Sequence, residues 1–204
     1  MRKLRVGLTG TLGAGKSTAL AALARLGAAT VSADSVAHRL SGPGGRISRA
    51  VFREFGAPYL TADGSVDRPA LAGLVFRDPN ARRRLERATH PLIAAELRRE
   101  ASRSKNRVAV VDVPLLFEAG LEHEFDVTVA VTAPKSHALR RVRARDGMRP
   151  AEAARRMRAQ WPAARKEAAA DVVWRNSGSR ADFVKLVRQY YRAWDLIASR
   201  APNR

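Results

Sequence analysis

Near the amino terminus the segment Gly10-Thr11-Leu12-Gly13-Ala14-Gly15-Lys16-Ser17-Thr18 follows a short apolar run, Val6-Gly7-Leu8, and opens an alanine- and leucine-rich stretch. It matches G-x-x-x-x-G-K-[ST] at every position, in the strand-to-helix setting that this pattern requires. Glycines let successive backbone N–H groups turn inward as a nest, where side chains would block an anion. The helix that follows offers the positive end of its dipole to the same anion. The pattern therefore predicts a nucleoside triphosphate site. Gly13, Ala14, Gly15, Lys16, Ser17 and Thr18 cradle the phosphates, with Lys16 reaching the β- and γ-phosphates and the Ser17 hydroxyl holding Mg²⁺.

A phosphate loop of this kind demands a parallel sheet, and the rest of the chain supplies the strands. Leu4 to Thr9 reads as the first strand and Ser17 to Leu26 as the first helix, which Gly27 ends. Ala28 to Ala33 forms a second short strand. Val108 to Val111 and Val127 to Val131 are valine-rich runs suited to central parallel strands, and Val172-Val173-Trp174 is a weaker third. Strands separated by helical stretches imply right-handed βαβ units and a sheet covered on both faces.

Two helical insertions interrupt this core. Between the second and third strands nothing reads as a strand; helical patterns cover Ile47 to Phe55, Pro69 to Phe76, Ala81 to Thr89 and Leu92 to Ser102. Pro91 suits the first position of the last of these. Ser41 to Gly45 and Thr61 to Ser65 read as loops. The second insertion, Arg140 to Ala169, is rich in arginine and alanine and is broken at Gly147 and at Trp161-Pro162. The last helix lines up Phe183, Leu186, Val187, Tyr190, Trp194 and Ile197 as a core face, and Pro202 to Arg204 is expected to fray. The expected fold is α/β: a phosphate-loop core with a five-stranded parallel sheet, a helical acceptor insertion and a helical lid. The core comprises 1–34, 105–136 and 170–204, the acceptor insertion 35–104, and the lid 137–169.

At 204 residues the chain can bury a substantial core. It has no cysteine, which excludes disulfides, thiolate metal sites and a cysteine nucleophile. No apolar run is long enough to cross a bilayer or to serve as a signal peptide, so the expected location is the cytoplasm. The net charge of +19 invites a nucleic-acid reading. Yet the arginines are dispersed, and aromatic residues, 6% of the chain, do not interleave with them as a stacking surface would require. Solvated helix faces and a polyanionic small substrate account for the charge, with no specific nucleic-acid partner.

Three carboxylates are candidates for chemistry. Asp34 follows a short strand and can project into the cleft at the sheet's carboxyl edge, where it would accept a proton from an attacking hydroxyl. It can equally cap a helix over Ser35 to Leu40. Asp112, at the end of the third strand, can organise Mg²⁺ or act as a turn carboxylate. Glu118 can serve the site or stand as an exposed charge.

With these residues in view, the chain resembles the dephospho-coenzyme A kinase family over almost its whole length. The resemblance rests on Gly7-Leu8-Thr9-Gly10 with the loop after it, Ala33-Asp34, Asp67-Arg68 and Val75-Phe76. It continues through His90-Pro91-Leu92-Ile93, Pro114-Leu115-Leu116-Phe117-Glu118, Arg141, Arg145-Asp146, Gln160 and Asn176-Ser177-Gly178. It implies transfer of the ATP γ-phosphate, with Mg²⁺, to the ribose 3′-hydroxyl of dephospho-coenzyme A, the last step of coenzyme A biosynthesis. By the same resemblance Asp34 is the general base, Arg141 and Arg145 are lid arginines near the phosphates, and Asn176 lies near the adenine pocket. The first insertion holds the acceptor, and His90 either starts its helix or contacts substrate. Two departures stand out: Ser32 occupies a position that is often acidic in the family, and Thr11 replaces a common glycine.

Two other readings share the loop. A nucleoside monophosphate kinase would accept AMP, CMP or UMP. A nucleic-acid-stimulated ATPase would turn over nucleotide without a phosphorylated small acceptor. The chain lacks the Asn-Lys-x-Asp guanine motif of a GTPase.

Overall fold

The computed structural model describes residues 3–146, 150–158 and 160–200, and at 145, 146, 150, 151 and 156 the backbone only. It divides into two compact units, residues 1–31 with 101–204, and residues 32–100.

The first unit is built on a five-stranded parallel sheet of order β2-β3-β1-β4-β5. Its strands are β1 Leu4–Gly10, β2 Ala29–Ser32, β3 Val108–Asp112, β4 Val127–Thr132 and β5 Val172–Arg175. β1 is central, with Val6 in register with Val110 on one side and Val127 on the other. It is buried on both faces, as are β3 and β4; the apolar run of β3 is unbroken, whereas β1 and β4 set small residues or threonine between their apolar ones, such as Gly7, Thr9 and Thr128. Helix α1 (Lys16–Arg25) follows β1 directly. The chain then turns towards β2, whereas β3 and β4 flank β1 on opposite sides. The strand order thus reverses at β1, and its carboxyl end opens at the switch point where open α/β sheets bind ligands.

Helix α9 (Arg180–Arg200) packs against α1 and the sheet through Phe183, Val187 and Trp194, with Trp174 of β5 fully buried between aromatic neighbours. The Trp174 and Trp194 rings stack at 5.6 Å. Ile197 departs from the expected core face: it is 57% exposed, and Ala198 takes the buried position. The apolar stripe of α9 follows 183, 187, 194 and 198, a drift of the 3.6-residue period that leaves Ile197 on the solvent side.

The second unit is helical: α2 Ala33–Leu40, α3 Arg46–Phe55, α4 Arg68–Arg77 and all but the last turn of α5 Pro79–Arg103. Val36, Ile47, Val51, Leu71, Ala81, Ala94 and Leu97 form its interior. The Thr61–Ser65 loop closes on itself through Thr61 N–H to Ser65 O at 2.9 Å and Ser65 N–H to the Asp63 carboxylate at 3.0 Å. Two helices were expected from 81 to 102, and the structure has one. Pro91 lies inside α5 and does not begin a new helix. Proline there removes one N–H donor, but burial of Ala81 before it and of Ala94 and Leu97 after it holds both halves in one helix.

Three further helices complete the first unit: α6 Lys135–Asp146, α7 Pro150–Arg158 and α8 Ala163–Ala169. The expected break at Trp161-Pro162 separates α7 from α8. The break expected at Gly147 and the fraying expected at 202–204 fall outside the described residues. No described helix is long and apolar enough to cross a membrane.

Candidate active site

The loop between β1 and α1 takes the backbone path that its glycines permit. Gly13 and Gly15 have φ of +74° and +109°, which L side chains rarely adopt. Packing constrains them as well. A Cβ on Gly13 would lie 2.4 Å from the Ala138 carbonyl oxygen of α6, and one on Gly15 would lie 2.3 Å from Asn176 Nδ2. The loop glycines thus permit close approach by two other segments. Thr11, the residue that replaces a family glycine, fits within the turn, and its carbonyl accepts the Ala14 N–H at 3.1 Å.

Lys16 is the first residue of α1, and its ammonium lies 3.4 Å from the Gly10 carbonyl oxygen, folded back along the loop. Ser17 is exposed in the same first turn, and Thr18 is half-buried beside it.

Arg141 and Asn176 meet at the loop. Asn176 follows β5, is buried, and donates its N–H to Thr132 O at 2.7 Å. Its amide donates to the Ala14 carbonyl at 2.8 Å. Arg141, from α6, reaches the same carbonyl at 3.4 Å and the Asn176 side-chain oxygen at 3.3 Å. Arg145 lies one turn further along α6, and its side chain lies outside the described residues.

Asp34 belongs to the second unit, in the first turn of α2, where it is exposed. The helix cap is not Asp34 but Ser32, whose hydroxyl accepts the Ser35 N–H at 3.3 Å. The capping alternative for Asp34 therefore falls, and Ser32, the residue that departs from the family, is itself the cap. Asp112 ends β3 in register with Leu8. His90 sits mid-helix in α5, half-buried, where burial lowers its pKa against the opposing pull of Glu86.

Sequence reasoning missed a buried ion pair behind the loop. Lys166 of α8 is fully buried, with its ammonium 2.8 Å from a Glu118 oxygen. Burial lowers its pKa, Glu118 opposes that shift, and the nearby Lys16 charge adds to it. A signal existed: lysine is scarce in this arginine-rich chain, and a compact ammonium fits where a planar guanidinium does not.

A phosphate loop on the central strand of a five-stranded parallel sheet, closed from behind by an arginine-bearing helix and an asparagine, defines a P-loop kinase. The family model described as dephospho-CoA kinase matches residues 4–182. The dephospho-CoA kinase of Methylococcus capsulatus is 42% identical over 196 residues, covering 96% of this chain and 99% of its own. Among solved structures, TT1252 from Thermus thermophilus matches with a TM-score of 0.80 at 33% identity, over 99% of this chain and 100% of that one. The dephospho-CoA kinase from Campylobacter jejuni matches with a TM-score of 0.58 at 26% identity, covering 94% and 97%. The chain belongs to the dephospho-CoA kinase family.

Proposed function

We propose that this chain transfers the γ-phosphate of ATP to the ribose 3′-hydroxyl of dephospho-coenzyme A, giving coenzyme A and ADP. The observation that carries this reading is family membership along almost the whole chain. The loop geometry supports it independently on the nucleotide side.

In this reading the backbone of Gly13 to Thr18 cradles the ATP phosphates at the N-terminus of α1. Lys16 offsets charge that develops on the transferred phosphoryl group. Asp34 takes the 3′-hydroxyl proton as that oxygen forms its bond to the γ-phosphorus and the bond to the ADP oxygen breaks. Its exposed carboxylate, not committed to capping α2, supports that role. Arg141 and Arg145 act from the segment 137–169, which serves as a lid, and Asn176 borders the adenine.

Ser17 would hold Mg²⁺, with Asp112 as a second oxygen donor at the end of β3. Ser17 is exposed and Asp112 is half-buried at the end of β3, and hydroxyl and carboxylate oxygens suit a hard cation. When bound, Mg²⁺ neutralises phosphate charge.

The insertion 35–104 holds the acceptor. A groove of about 740 Å³ within that unit is lined by Arg46, Arg49 and Arg53 together with Phe52, Leu60 and Leu92. Cations beside apolar surface suit a molecule that carries a pyrophosphate and a long arm. The enzyme works on this small molecule in the cytoplasm, without a nucleic-acid partner.

The test is a coupled ADP-release assay across dephospho-coenzyme A, adenosine and AMP, with products identified by mass. Dephospho-coenzyme A is expected to react far faster, because remote binding energy orients the hydroxyl. Equal rates with adenosine or AMP would refute the acceptor.

A further inference from the structure

Lys166 and Glu118 take no part in the roles assigned above, yet their surroundings lead straight to the phosphate loop. The Lys166 ammonium donates to Glu118 Oε2 at 2.9 Å, to Pro114 O at 3.0 Å and to Thr9 Oγ1 at 3.3 Å, so it ties α8 to the ends of β1 and β3. Glu118 uses its other oxygen as well: Oε1 accepts the Trp161 N–H at 2.7 Å. The Trp161 ring is stacked on Phe117 at 6.2 Å, and the Arg165 guanidinium lies 3.5 Å from its centre. The neighbouring residue, Gln160, completes the path, because its Oε1 accepts the N–H of Leu12, inside the loop, at 3.0 Å.

A purely stabilising role explains this poorly. Taking a lysine and a glutamate out of water costs several kcal/mol per ion, and a well-packed apolar pair often serves stability as well or better. Here the cost is raised further by the like charge of Lys16. What an apolar pair cannot do is accept the Trp161 N–H and so fix where Gln160 stands.

We propose that Lys166 and Glu118 are positioning residues for phosphoryl transfer, holding the 160–161 segment so that Gln160 pins Leu12 and, through it, the path of the phosphate loop. The loop is then braced from two sides. Gln160 takes the N–H at Leu12, and Asn176 and Arg141 take the carbonyl at Ala14. The proposal rests on the functional reading above for its turnover readout.

Two variants separate positioning from stability. Lys166→Met with Glu118→Leu removes both charges together, so neither is left buried and unpaired. Gln160→Met removes only the acceptor for Leu12. Both are expected to unfold near the wild-type temperature, to lose kcat by about tenfold to a hundredfold and to bind ATP several-fold more weakly. The KM for dephospho-coenzyme A is expected to stay within about twofold. Combining all three changes should cost little beyond the double variant, because the seat for Gln160 is already lost. A folded double variant or Gln160→Met with wild-type kcat and ATP affinity overturns the proposal, as do losses that simply multiply. Should the double variant fail to fold, Gln160→Met alone decides by the same criteria. If the wild type itself leaves dephospho-coenzyme A unphosphorylated, the functional reading falls, and positioning is judged from the ATP affinity of Gln160→Met.

Discussion

At the scale of the residue, Lys16 and Asp34 carry separate burdens. Lys16→Ala is expected to remove most turnover with unfolding unchanged, because the side chain folds back along the loop to the Gly10 carbonyl and is not part of the hydrophobic core cluster. Turnover near wild type in the folded variant would dismiss the loop as the site. Asp34→Asn is expected to lower kcat by about 10²–10⁴ with ATP affinity intact, since Asn cannot take the proton. Ser32 already caps α2, so the substitution leaves the helix start alone, and any loss reports on chemistry. A wild-type rate would reject Asp34 as base. Legibility at this scale followed distance along the chain. The loop from Gly10 to Thr18 could be read because its chemistry is local and its glycines are consecutive with it. The Lys166–Glu118 pair spans 48 positions, and no local pattern announces which carboxylate a buried lysine will meet. Asn176 and Arg141 were placed by family resemblance alone, and their meeting at the Ala14 carbonyl emerged only in three dimensions.

At the scale of the element, the valine-rich runs identified β3 and β4, both buried on both faces, with β3 unbroken in its apolar residues and β4 carrying threonine and alanine between its valines. Helix ends were harder. Pro91 is a sound local signal for a helix start, and tertiary burial of Ala94 and Leu97 overrode it. Ile197 fitted the periodicity of α9, but a 21-residue helix drifts over the surface that it covers, and position 198 took the core site. The start of α2 offers a measurable case. Ser32 stands where the family is often acidic, and its hydroxyl holds the Ser35 N–H. Ser32→Ala is expected to cost about 1 kcal/mol, which lowers the unfolding temperature by roughly 2–4 °C in a chain of this size. Ser32→Asp, which can cap equally well, should retain the wild-type temperature. An unchanged midpoint in Ser32→Ala would show that the cap contributes nothing to α2.

At the scale of the whole molecule, charge sets the limits. The chain carries 38 basic and 19 acidic side chains, so half of the cations have no acidic counterpart even at neutral pH. Self-repulsion of this kind opposes the compact state and is screened by salt. Several carboxylates are tied into the fold and held below their ordinary values. The Arg99 guanidinium lowers Glu96, the Arg175 guanidinium lowers Glu167, and the Thr128 hydroxyl lowers Asp171, which thereby joins β5 to β4. In the unfolded chain these groups protonate near 4.5, 4.5 and 3.8, whereas in the folded chain they do so at lower pH. Between the two values the unfolded state binds more protons, so acidification favours unfolding. Their contribution is therefore complete above about pH 5 and is lost as pH falls through 4.5 and below. The same protonations strip away the anions that offset the arginines, so both effects act in one direction. Unfolding temperature is expected to fall steadily from pH 5 to pH 3, and more steeply at low ionic strength than in moderate salt. Thermal melts on a grid of pH and sodium chloride would measure it. A midpoint flat from pH 5 to pH 3 would remove the carboxylate argument, and a decline identical at all salt concentrations would remove self-repulsion.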